Sequence, residues 1–177
     1  NHTTAKEAKK KLQIKLNHSE ELLEDLKKAL DDDPDSLEKR LAYFNALVEF
    51  TQYGEAIRVI NEHLKPLDEL KVIPLEADPD QFKEEQSQVN LRNALLELFE
   101  NRQTWGQALG LTNQMIKMYE EAPHYLLFNK AEFLAVLETY DEAKEVIDEL
   151  DGKVDDKERI KIARAGILCE QGKEAEA

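Results

Sequence analysis

A single cysteine, Cys169, stands in 177 residues, so no disulfide can close within the chain. That sparing use suits a reducing, cytoplasmic location. Glycine and proline are scarce, at 6 and 5 residues, too few turn-formers for a many-stranded sheet protein. No apolar run approaches the roughly 20 residues of a membrane-crossing helix, so membrane insertion is not expected. The start, Asn1-His2-Thr3, shows no secretory signal pattern and no Met. Glycine-rich phosphate loops, the HExxH zinc signature and cysteine pairs are all missing. His2, His18, His63 and His124 lie far apart in sequence, so no metal site, cofactor or catalytic residue is expected. Cys169 has Ile162, Ala165, Ile167 and Leu168 around it and no base beside it, and it reads as a packing residue.

Positive charge is also in short supply. Lys and Arg number 24 against 38 Asp and Glu, a net of −14. Residues 1–16 carry +4 of this balance and the remainder −18. An acidic body repels phosphate backbones, which argues against nucleic-acid binding. The runs Asp31-Asp32-Asp33 and Asp155-Asp156 lack the spaced carboxylates of a calcium loop and read as helix-end punctuation.

What the chain does have is Glu, Lys, Asp, Leu and Ala, a mixture that favours helices. Three segments also repeat one another: Tyr53-Gly54-Glu55-Ala56-Ile57, Trp105-Gly106-Gln107-Ala108-Leu109 and Tyr140-Asp141-Glu142-Ala143-Lys144. Each has an aromatic, a turn-former, an acid or amide, and then Ala. The last two lie 35 residues apart and the first two 52, one period plus an insertion. After each Ala runs a stripe at helical spacing: Val59, Ile60, His63 and Leu64; Leu111, Thr112, Met115, Ile116 and Tyr119; Val146, Ile147 and Leu150. Counting back 34 residues from Ala56 gives a further seam of Leu22, Leu26, Ala29 and Leu30, closed by Pro34 with Asp35 or Ser36 to cap the next helix. Helices are predicted near 5–16, 19–30, 36–50, 54–65, 80–101, 104–119, 124–137, 140–150 and 156–170. Pro66, Pro74 and Pro79 mark a loop over 66–79, whose Lys71-Val72-Ile73-Pro74-Leu75 stretch is apolar enough to pack on the helices. Asp78-Pro79-Asp80 looks like a helix start.

These residues resemble the tetratricopeptide repeat family, with Tyr53, Trp105 and Tyr140 at the hairpin corner, Ala56, Ala108 and Ala143 at the small position, and Pro34 at a repeat end. The resemblance implies an all-α fold, a right-handed superhelical stack of antiparallel helix hairpins. One domain over 1–177 would hold repeats at 3–36, 37–65, 89–123 and 124–157, an insertion at 66–88 and a partial repeat at 158–177. It also implies a protein–protein interaction scaffold and not an enzyme. In the family the first helices line a concave groove for peptides. Asn45, Asn93 and Asn129 interrupt the first helices here and, with Tyr125, are the candidate groove residues, because amides can pair with a peptide backbone. Arg40, Arg92 and Lys130 do not form the regular Lys-and-Asn clamp that some members use for a C-terminal carboxylate. Two further readings are a regulatory or substrate-presenting segment of a larger enzyme and a self-assembly element. In the latter, weak self-association would run through 156–177, with Ile160, Ile162, Ile167 and Leu168 exposed.

Overall fold

The computed structural model describes residues 18–173, and the regular elements among them are helical. The predicted helix over 5–16 and the last residues of the partial repeat lie outside the described residues. In chain order the helices are α1 (18–31), α2 (Leu37–Glu49), α3 (Tyr53–Asn61), α4 (Lys83–Asn101), α5 (Trp105–Ile116), α6 (His124–Val136), α7 (Tyr140–Asp151) and α8 (Lys157–Glu170), with a 3-10 turn at Leu67–Glu69. The fold is all-α. The chain divides into two compact units, Asn1–Leu64 and Lys65–Ala177.

In the first unit, α2 packs on α3. Ser36 caps α2, its hydroxyl accepting from the Lys39 N–H at 3.3 Å. Of the expected α1 seam, Leu30 is buried and Leu26 and Ala29 are half-buried, but at its start Leu23 is buried and Leu22 exposed. Equal spacing located the seam but could not choose between adjacent leucines. Arg40 is buried, and its guanidinium donates to the carbonyls of Val59, at 3.2 Å, and Pro34.

In the second unit, α4, α5, α6, α7 and α8 each pack on the next, and α6 also meets α8 directly. The core gathers Ala131, Leu134, Ala143, Ile147, Leu150, Ile160 and Ile167. The leucines and isoleucines among them contribute roughly 1.5–3 kcal/mol each when fully buried. Ion pairs from Asp148 and Asp151 to Arg164, and from Asp151 to Lys157, tie α7 to α8 at 2.8–3.0 Å. The Tyr140 hydroxyl adds a bond to the Glu170 carbonyl at 2.9 Å.

The three hairpin turns share one geometry. The residue two before each corner aromatic has left-handed backbone: Thr51 (φ 61°), Gln103 (φ 55°) and Glu138 (φ 63°). The next N–H then reaches back to the helix, Gln52 to Leu47, Thr104 to Phe99 and Thr139 to Leu134, at 2.8–2.9 Å. This is the Schellman-type closure that satisfies a helix's last carbonyls. Gly172 (φ 70°) closes α8 in the same way, with Lys173 N–H on Leu168 O. Ala56, Ala108 and Ala143 are fully buried, as a small residue at a helix crossing should be. Tyr53, Trp105 and Tyr140 are only half-buried, and Trp105 rests on Phe133 with ring centroids 5.8 Å apart.

Residues 65–82 depart further from the sequence reading. Asp78 does not start α4: its carboxylate accepts from the Asp80 N–H in a local turn, and the helix begins at Lys83. Short-range Asx bonding at Asp78 wins over helix entry. Ile73 is buried and forms an isolated parallel bridge with Tyr119, while Val72 and Leu75 are exposed. Three polar residues one turn apart on α4 hold the loop. Glu85 accepts from Lys71 N–H (3.0 Å), Gln88 accepts from Lys65 N–H (2.8 Å), and Arg92 donates to Lys65 O (2.8 Å).

Two expectations for the last helix change. Cys169 is exposed and not a packing residue. Ile160 and Ile167 are buried and Leu168 half-buried, so Ile162 alone of the four isoleucine and leucine residues presents a large exposed face. The α8 stripe is already committed to α6 and α7.

Candidate functional site

Within the second unit the apolar stripes of α5 and α7 are consumed by packing. Ala108, Thr112 and Met115, and Ala143, Ile147 and Leu150, are wholly buried. The open polar surface of interest therefore lies on α4, α6 and α8. Those are the first helices in the repeat reading.

Asn93 of α4 and Tyr125 of α6 are brought together. The Asn93 and Tyr119 side chains lie close enough to the Tyr125 phenol to favour its ionised form. Burial raises the Tyr125 phenol, against the opposing influence of Asn93 and Tyr119. The Tyr119 phenol is pushed up to about 12 by burial and by its neighbour Tyr125. Both phenols are thus neutral at physiological pH, and Asn93 of α4 stands near the start of α6.

Further along the same helices sit three carboxylates. Burial, then repulsion from Glu132 and Glu97, hold the Glu100 carboxyl above its ordinary range. No ion pair among the described residues involves Glu97, Glu100 or Glu132.

Between α6 and α8 lies a cavity of about 340 Å³. Asn129 lines it with Phe128, Glu132, Val136, Ile162 and Gly166 among others. A Cβ added at Gly166 would meet nothing within 4 Å, so the glycine leaves the cavity open there. The Arg159 guanidinium sits over the Phe128 ring, 4.2 Å from its centroid, a cation–π contact.

The candidate amides thus have different fates. Asn129 lines the cavity and Asn93 lies near Tyr125, while Asn45 is exposed on α2 in the first unit. They do not share a repeat position. Asn45 lies eight residues before its corner aromatic, where the later hairpins carry Glu97 and Glu132; Asn93 lies twelve before and Asn129 eleven. Glu97, Glu132, Arg159 and Gly166 were missed, although counting back from the corner would have found the first two; Ile162 was expected to be exposed, but as a self-association residue. Arg40 and Arg92 each lie thirteen residues before the corner and are buried, so neither reaches the surface.

Among the described residues no three His, Cys, Asp or Glu side chains converge to hold a metal ion, and no helix is long and apolar enough to cross a membrane. Comparison with family models, curated proteins and solved structures gives no match.

Proposed function

We propose that the chain is a protein-interaction module of the tetratricopeptide kind, which binds a partner's extended segment across α4, α6 and α8 and performs no chemistry of its own. The second unit would then be a short stretch of right-handed helical-hairpin solenoid. One observation carries the reading: the α6–α8 cavity opens between two first helices whose neighbours α5 and α7 have spent their apolar faces on the core. Asn129 at the cavity offers a donor and an acceptor to a passing peptide backbone. The repeated left-handed turn supports the hairpin phase, and the lone thiol of Cys169 suits a reducing cytoplasm.

Selection from a random peptide display library tests this reading. Ligands should be recovered whose crosslinks map to α4, α6 and α8 and whose binding weakens when Asn129 is changed to Ala. Crosslinks concentrated on the solvent face of α7, around Glu142 and Glu145, would refute it, as would recovery of no ligand.

A further inference from the structure

We infer that the groove between α6 and α8 takes linear peptide segments in which aliphatic side chains alternate with lysine or arginine. This rests on the peptide-binding reading above and adds the chemistry of the peptide.

Size sets the first limit. A cavity of about 340 Å³ is at the low end of ligand pockets, roughly 300–1,000 Å³. It suits one or two side chains. Its walls are apolar where Phe128, Val136, Ile162 and Ile167 meet. Ile162 is 66% exposed there, an aliphatic surface that an incoming Leu or Ile would cover.

Charge sets the second limit. Glu132 and Glu170 line the same cavity, and Glu100 of α4 stands close enough to Glu132 and to Glu97 to be repelled by each. None of the four is in an ion pair among the described residues. Arg159 is the cation in the lining, and its charge is directed onto the Phe128 ring. An acidic peptide would meet uncompensated carboxylates and lose affinity to repulsion and desolvation. A basic one relieves that repulsion and gains charge-assisted bonds.

Fluorescence anisotropy on the full chain tests this with three short, end-blocked, dye-labelled peptides: Gly-Lys-Leu-Arg-Leu-Lys-Gly, its counterpart with Glu for each Lys and Arg, and its counterpart with Ser for each Leu. The first should bind saturably and the other two should not. Gly166→Leu fills the cavity from a helical position where Leu is a better helix former, and should weaken binding about tenfold or more. Glu132→Gln combined with Glu170→Gln should weaken it about fivefold and flatten its salt dependence. These two changes are at surface positions, so they keep the test valid if Gly166→Leu fails to fold. Absence of binding by the basic peptide overturns the inference, as does equal binding of the serine peptide or indifference to the cavity and charge variants. Binding of the acidic peptide, lost in Gly166→Leu, overturns the chemistry and leaves the peptide-groove reading standing.

Discussion

Thr112 occupies the position where the other two second helices carry isoleucine. Ile60, Thr112 and Ile147 each follow the buried alanine by four residues, and all three are fully enclosed. The Thr112 hydroxyl has no hydrogen-bond partner there, and a buried polar group left unpaired costs about 1–3 kcal/mol. Thr112→Val keeps the shape and removes the hydroxyl, so it should raise stability by about 1 kcal/mol. A higher urea midpoint at unchanged slope is the expected readout; a lower midpoint would show that the hydroxyl is bonded in solution. Glu138 is a second place where the local residue is not the one that the backbone prefers. Its φ of 63° is the left-handed region, which disfavours a side chain by roughly 1–2 kcal/mol. Glycine fills the same role at Gly172. Because glycine also frees the unfolded chain, Glu138→Gly should gain about 0.5–1 kcal/mol net, measured by the same melt.

At the scale of elements, α4 shows how a polar helix can hold a loop. Arg92 is 2% exposed and donates to two backbone carbonyls, Lys65 at 2.8 Å and Gln88 at 3.2 Å. Its burial lowers the guanidinium's proton affinity, yet the group is held by acceptors that nothing else supplies. Arg92→Ala should cost about 2–4 kcal/mol, given the strength of bonds to charged donors and the packing lost with the long stem. Arg92→Lys should recover only part of this, since one ammonium cannot reproduce the guanidinium fork. Hydrogen exchange should show the Lys65 and Lys71 amides losing protection before the α4 core; equal protection in parent and variant would disprove the pinning role. The sequence made the hairpin phase legible because an aromatic, a turn and a buried Ala coincide three times. It left this arginine illegible, because a cation in an apolar stripe reads as a surface group until the loop it grips is placed. The one-residue error at Leu22 and the false helix start at Asp78 have a related cause. Spacing and caps are local signals, while burial of Leu23 and the Asx turn at Asp78 depend on what comes to lie nearby. Of the cavity, little was legible. Asn129 lines it, but Asn45, Asn93 and Tyr125 do not, and the cavity needs α6 and α8 side by side, which no pattern within one helix specifies.

The charge of the whole molecule sharpens at Glu100. A net of −14 is a diffuse repulsion over most of the surface, weakly felt at any one site because water and salt screen it. Glu100 is different because burial adds to repulsion by Glu132 and Glu97, and its carboxyl is raised above the ordinary range. The native chain therefore holds that proton more firmly than the unfolded chain, whose glutamates titrate near about 4.3. A raised acid stabilises the fold most when protonated, below the unfolded value. That contribution is lost as pH rises through the folded value, so at neutral pH the ionised Glu100 works against folding. Glu100→Gln should then be more stable than the parent at pH 7 by about 0.5 kcal/mol, the modest size expected for partly solvated charges. The advantage should shrink as pH falls and vanish once both chains carry a neutral side chain at this position. Taking the difference between the two proteins at each pH cancels the titration of the carboxylates that do not interact with Glu100. Paired urea melts from pH 7 down to about pH 4, bracketing the reference glutamate value, make the measurement. A difference that stays flat, or grows toward acid, would mean that neither burial nor repulsion from Glu132 and Glu97 raises Glu100 in solution.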